Sequence, residues 1–152
     1  MDIRQYTKQH RDSCIKVFDS NVGKYFSPSE REEFIEYLDS FNERCDYYVY
    51  IRDARVVACG GVGINSTIAS LTWGMVHRDF HGQGIGTVLT DYRLSQLHSN
   101  PAIEVIKIET SQHTEGFYRK RGFITTHVIK DGFGQGIDCV SMELKVVPSP
   151  VS

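Results

Sequence analysis

At 152 residues the chain has the length of one domain, and its 41 Leu, Ile, Val and Phe side chains, about 27% of the sequence, exceed the apolar content below which a charged chain stays disordered. Seventeen basic against nineteen acidic side chains leave a net charge of −2, which offers no global attraction for nucleic acid or for an anionic membrane surface. No apolar run approaches the roughly 18 residues of a membrane span and the N-terminus has no apolar signal-peptide core, so a cytoplasmic protein without nucleic-acid or membrane partners is expected.

In chain order, Ile3 and Tyr6 sit in a short opening strand over residues 2–7, and Cys14, Ile15, Val17 and Phe18 recur at near-helical spacing within a first helix over 10–22. Ser27-Pro28-Ser29-Glu30 reads as a helix start, with Ser27 as N-cap, Pro28 in the first helical position and Glu30 closing a capping box. Phe34, Ile35, Leu38 and Phe41 form the apolar stripe of that second helix. β-Rich runs at Tyr47–Ile51 and Val56–Ile64 flank Arg52-Asp53-Ala54-Arg55 and predict an antiparallel hairpin. A third run, Ile68–Val76, leads into His81-Gly82-Gln83-Gly84-Ile85-Gly86, after which Ile85, Val88, Leu89, Tyr92 and Leu97 keep helical spacing until Asn100-Pro101. Ile103–Ile108 suits a buried strand, and Glu115–Arg121 a short helix ended by Gly122. Phe123–Ile129 is a strand candidate, Lys130-Asp131-Gly132 a turn, and Val140, Met142, Leu144 and Val146 alternate with polar residues in a last strand. Residues 1–147 form one expected domain and 148–152 a flexible tail. Cys14, Cys45, Cys59 and Cys139 are far apart without a CxxC pair, and are expected to be reduced packing residues.

Gly-Gln-Gly-Ile occurs twice, at 82–85 and at 134–137, and only context separates the copies. The second leads into a period-2 strand, where glycine serves a turn. The first lies between a strand and an amphipathic helix, where successive backbone N–H groups and the positive helix end converge on one point suited to a phosphate or pyrophosphate. Glycines two apart do not fit the dinucleotide fingerprint, which would require glycine at Thr87, and the loop lacks the lysine of a P-loop. His77 and His81 are four apart but straddle a strand end and a loop, with no H-E-x-x-H pattern, so no metal is expected.

Val76-His77-Arg78-Asp79-Phe80-His81-Gly82-Gln83-Gly84-Ile85-Gly86-Thr87, followed some 30 residues later by Phe117-Tyr118-Arg119-Lys120-Arg121-Gly122-Phe123, resembles the GNAT superfamily of acetyl-CoA-dependent N-acetyltransferases. Gly84 and Gly86 fit the family's Arg/Gln-x-x-Gly-x-Gly/Ala motif, whereas His81 stands where Arg or Gln is usual and Arg78 replaces a frequent proline. The resemblance implies an α/β (α+β) fold with a mixed, mostly antiparallel six- to seven-stranded sheet flanked by about four helices.

It also implies acetyl-CoA as acyl-donor cosubstrate. The pantetheine arm would lie beside Met75 and Val76, on a strand that splays from its neighbour near Thr110-Ser111. The pyrophosphate would meet the loop from His81 and Gly82 through the N–H groups of Gln83, Gly84, Ile85, Gly86 and Thr87. Ser111, Phe117, Tyr118 and Arg121 complete the expected cofactor contacts. Attack by a primary amine in a ternary complex would place the oxyanion at the Val76 N–H, with Tyr118 as general acid to the departing thiolate. Glu109 and His113 are the two candidates for the base, and Cys139, with no His or Asp partner beside it, is expected to pack. The acceptor is expected to meet residues 22–41 and the loops near His113 and Phe133. A noncatalytic acyl-CoA-binding sensor is the alternative reading, and a sheet edge would support a homodimer.

Overall fold

The computed structural model describes residues 2–40 and 46–146. The expectations for Phe41, Cys45 and the 148–152 tail lie outside the described residues. The elements run β1 (Asp2–Gln5), α1 (Arg11–Asp19), α2 (Glu30–Asp39), β2 (Tyr47–Arg52), β3 (Arg55–Asn65), β4 (Ile68–Val76), α3 (Ile85–His98), β5 (Val105–Thr110), α4 (Glu115–Arg119), β6 (Ile124–Gly134) and β7 (Ile137–Lys145). The strands form one seven-stranded sheet in the order β1-β2-β3-β4-β5-β7-β6. Every neighbouring pair is antiparallel except β4–β5, which the α3 crossover makes parallel.

Both faces of the central strands are covered, which is why β3 reads as the unbroken run Val-Val-Ala-Cys-Gly-Gly-Val rather than as an alternation. On one face Val17 and Phe18 of α1 and Phe34 and Leu38 of α2 pack against Tyr47, Val49, Cys59 and Met75. On the other, Leu94 and Leu97 of α3 and Tyr118 of α4 pack against Ile106, Ile108, Val140 and Met142. A third cluster joins Ile85 and Leu89 to Val57 and Ala58. Cys14, Cys59 and Cys139 are buried free thiols, as expected of packing residues.

The β2–β3 hairpin turns where the sequence predicts, with Asp53 at φ 51° and Ala54 at φ 61°. Two successive left-handed residues give the turn whose twist matches its flanking strands. Two expectations are corrected. The second helix begins at Glu30 with Ser29 as N-cap, not Ser27. Half of the capping box survives, because Glu30 Oε2 accepts from the Ser27 N–H at 2.8 Å, but the Ser27 hydroxyl turns to Ser29 instead of the helix. The turn expected at Lys130-Asp131-Gly132 lies inside β6, as an irregularity between Ile129 and Gly134. The chain reverses at Gly134–Gly136, where the second Gly-Gln-Gly-Ile supplies φ values of 154° and 79°, while Asp131, at φ 56°, bends the strand within that irregularity.

Candidate acyl-CoA site

β4 and β5 pair only through Ile68–Ser70 and Val105–Lys107. Beyond that apex the strands diverge, and the opening widens into a cleft of about 910 Å³ between the sheet, the start of α3 and α4. The backbone at its wall is set by a bulge. Cys59 pairs with Met75 and Gly61 with Thr72, so Gly60 alone opposes both Trp73 and Gly74. Trp73 adopts φ 43° there, rare for a bulky side chain, and its carbonyl is held by the Tyr47 hydroxyl at 2.8 Å.

An extra residue in one strand reverses which groups face the neighbour on each side. Past the bulge, the His77 N–H donates to the Val57 carbonyl at 2.8 Å. That bond makes Ala58 and Val76 a non-hydrogen-bonded pair of the ladder. Both polar backbone groups of Val76 therefore point away from β3. Its carbonyl accepts from His81 Nε2 at 2.7 Å and from Asn21 Nδ2 at 2.9 Å, and its N–H faces the gap. Met75, one residue back, is the hydrogen-bonded partner of Cys59 by the same parity and turns its backbone to β3 while bordering the cleft.

The glycine loop closes the wide end. Gly82 and Gly84 take φ 78° and 80°, and a Cβ at either would meet nothing within 4 Å, so the space above the loop is open. Gly84 is the N-cap of α3. The first helical bond runs from the Val88 N–H to the Gly84 carbonyl at 3.1 Å, leaving the N–H groups of Ile85, Gly86 and Thr87 ahead of the ladder. Orphan donors, the helix dipole and open space coincide, which is the arrangement an anion such as a diphosphate requires. These residues fit the diphosphate of coenzyme A.

Of the residues expected to contact the cofactor, Met75, Val76, His81, Gly82, Gly84, Ile85, Gly86, Thr87, Ser111, Phe117 and Tyr118 all border this cleft. Gln83 and Arg121 do not. Gln83 turns outward, where its Oε1 accepts from Arg52 at 2.6 Å and ties the loop to β2. Arg121 lies 3.8 Å above the Phe117 ring, donates to the Phe117 carbonyl at 3.0 Å and reaches Asp91 on α3 at 3.3 Å. It joins α4 to α3 rather than facing the cleft. Tyr118 is buried, edge-on to Phe117 and Phe123, with its ring on the cleft wall.

On the far side of the opening Glu109 borders the cleft from β5, and its Oε2 accepts from the Cys139 thiol at 3.1 Å. Burial, and then the neighbouring carboxylate, push that thiol up to about 11, so at neutral pH it is a protonated donor and no nucleophile. His113, the other candidate base, does not border the cleft; its ring meets the edge of Tyr25, which also meets His81. His77 and His81 do not converge on a common point: His77 Nδ1 accepts from the Asp79 N–H at 3.2 Å, while His81 is committed to Val76.

Three contributors escaped the sequence reading. Tyr25 bridges the loop before α2 to the glycine loop, Trp73 supplies the bulge, and Arg93 is a buried guanidinium on the cleft wall. An arginine within a helix reads as solvent-facing, and it is the missing side chains of Gly60 and Gly74, brought together at the bulge, that make room for it.

The acetyltransferase (GNAT) domain family matches residues 7–146. No curated protein matches the chain. Among solved structures, one assigned to GNAT-family acetyltransferases from Desulfovibrio desulfuricans superposes with a TM-score of 0.79 at 21% identity, covering 96% of this chain and 99% of that one. The ribosomal-protein-S18-alanine N-acetyltransferase of Escherichia coli gives 0.78 at 14% identity over 99% and 98%. An aminoglycoside 6′-N-acetyltransferase complexed with coenzyme A gives 0.75 at 17% identity over 99% and 100%. At these identities the three share the fold.

Proposed function

The chain belongs to the GNAT acetyltransferase family, and from that premise we propose that it moves an acetyl group from acetyl-CoA to a primary amine by direct attack in a ternary complex. The observation that carries this reading is one alignment. The donor-rich start of α3 and the cleft-facing N–H of Val76 open onto the same cavity, one suited to a diphosphate and the other to a developing oxyanion.

The loop amides of Gly84, Ile85, Gly86 and Thr87 bind the diphosphate, and the splayed edge of β4 takes the pantetheine arm. Acetyl-CoA supplies the activated thioester. Val76 N–H donates to the thioester oxygen, and that bond strengthens as negative charge collects there, so it lowers the barrier rather than only tightening binding. The amine nitrogen bonds to the carbonyl carbon, the carbon–sulfur bond breaks, and the Tyr118 hydroxyl delivers a proton to the leaving sulfur. Glu109 takes the proton lost by the amine, directly or through water, because it borders the cleft and His113 does not.

A thiol-release assay with acetyl-CoA and a panel of amines tests the proposal. Free coenzyme A formed in proportion to enzyme and dependent on an amine supports it. Thermal stabilisation by acetyl-CoA with no release from any amine would identify an acyl-CoA sensor instead.

A further inference from the structure

The start of α2 presents the cleft with a carboxylate that has no cation. Glu30 is 7% exposed and borders the cleft beside Glu33, which lies one turn further along the helix. Its Oε2 accepts from the Ser27 N–H at 2.8 Å. Its Oε1 bonds to no group among the described residues and is not sealed from solvent, so it opens onto the cleft. Neighbouring cations are committed elsewhere: Arg31, next in the chain, holds Asp19 at 2.8 Å, and Lys107, on the cleft wall, reaches Glu143 at 3.5 Å. Among the described residues neither Glu30 nor Glu33 forms an ion pair.

Burial raises the Glu30 carboxyl above its ordinary value, with the Ser27 N–H opposing and Glu33 adding to the shift. An ionised group in that place gains from any cation brought to its free oxygen. Ser27 fixes where this happens, because it packs on the β6–β7 turn: a Cβ on Gly134 would stand 2.6 Å from the Ser27 hydroxyl. Cys139 of the same hairpin feels the Glu30 charge and donates to Glu109 at 3.1 Å. Glu30 and Glu109 therefore share the hairpin end of the cleft. Phe26, stacked on Trp73 with ring centroids 6.2 Å apart, and Phe133 border the same cleft. Carboxylates together with aromatic surface suit a ligand of two ammonium groups joined by an aliphatic spacer.

We propose that the acceptor is a small amine carrying a second ammonium: one nitrogen, beside Glu109, attacks the thioester, and the other, a few carbons away, is held by the free oxygen of Glu30, with Glu33 adding to the attraction. The inference rests on the acetyl-transfer reading above and specifies its acceptor. The second ammonium makes and breaks no bond in the reaction. Its contact with Glu30 is the same before and during attack, so the gain falls on KM rather than kcat.

Paired acceptors test it: 1,3-diaminopropane to 1,6-diaminohexane, each against the n-alkylamine of equal chain length, in the thiol-release assay with saturating acetyl-CoA. For the best-fitting length the diamine should have a kcat/KM about tenfold higher or better than its monoamine, the range of a charge-assisted hydrogen bond, with the difference in KM. Glu30→Gln, which keeps a group able to accept from the Ser27 N–H but removes the charge, should bring that ratio to within about twofold of one. Glu33→Gln should lower it only in part. Monoamines used as well as diamines by the wild-type chain overturn the inference and leave the acetyl-transfer reading standing, as does release from other amines but from neither member of any pair. A preference that survives intact in Glu30→Gln overturns it too. Release from no amine at all would remove the acetyl-transfer reading itself, and the inference with it. Should Glu30→Gln not fold, as judged by circular dichroism, the wild-type ratio and that of Glu33→Gln still decide.

Discussion

His81 Nε2 donates to the carbonyl of Val76 at 2.7 Å, so the loop that would bind the diphosphate also holds the strand end that faces the reacting carbonyl. A carbonyl can only accept, so the ring must carry its proton on Nε2. Asn21 donates to the same oxygen from the end of α1. Two donors on one carbonyl fix the last residue of β4 on the side from which β5 has diverged.

His81→Ala removes one of these donors. Turnover should fall about five- to tenfold, from loss of roughly 1 kcal/mol of hydrogen bonding, and His81→Gln, which keeps a donor of similar reach, should recover much of it. Steady-state kinetics on the three proteins check this. Equal rates for His81→Ala and wild type would show that Asn21 alone positions the strand end.

Gly84 tests the loop separately from the strand. Its φ of 80° costs an L-residue about 1–2 kcal/mol, yet no protein atom lies within 4 Å of the added Cβ. Gly84→Ala should therefore fold with a melting temperature a few degrees lower and bind coenzyme A at least about tenfold more weakly, because the methyl enters the space kept for the diphosphate. Calorimetry against coenzyme A, with a melting curve as control, separates the two effects.

The strand–loop–helix at 68–98 was legible because its signals are local: a β-rich run, glycines in the loop and a helical apolar stripe. The tyrosine after it was legible through its motif. The bulge was not, since Trp73 is a strand former and nothing within the strand announces a positive φ; the group that holds its carbonyl is the Tyr47 hydroxyl, 26 residues earlier. Lys130-Asp131-Gly132 carries turn chemistry yet continues a strand, because pairing of β6 with β7 carries on to Gly134–Ile137. Arg121 is among the cofactor contacts the motif implies, but its contacts with Asp91 and the Phe117 ring come from residues that the sequence does not place beside it.

Tyr118→Phe keeps the ring packing with Phe117 and Phe123 and removes only the hydroxyl. Turnover should fall about a hundredfold or more, the usual span of general-acid contributions, while acetyl-CoA affinity stays within about twofold. Single-turnover rates and calorimetry measure the two quantities. A change confined to affinity would assign the hydroxyl to binding.

Tyr47→Phe releases the Trp73 carbonyl at the bulge. Loss of this partly buried bond should cost about 1–2 kcal/mol of stability, read by urea unfolding. Because the bulge decides which face Val76 presents, the variant should also lose turnover beyond what its folded fraction explains. A stability loss with full activity per folded molecule would separate the bulge from catalysis.

The alkaline limb of stability has a definite sign. Burial raises Tyr6 to about 12 from an ordinary 10.0, and burial with the Glu109 carboxylate raises Cys139 to about 11 from 9.0. In each case the folded chain resists ionisation more than the unfolded chain does. The stabilisation is therefore complete below pH 9 and is lost as pH climbs, between 9 and 11 for Cys139 and between 10 and 12 for Tyr6. Each group contributes on the order of 1–3 kcal/mol across its window. Cys139→Ser replaces the thiol with a hydroxyl that does not ionise there, so its unfolding free energy should decline less steeply than wild type between pH 9 and 11. Parallel declines in the two proteins, measured by urea titration at fixed ionic strength, would place the loss on other groups.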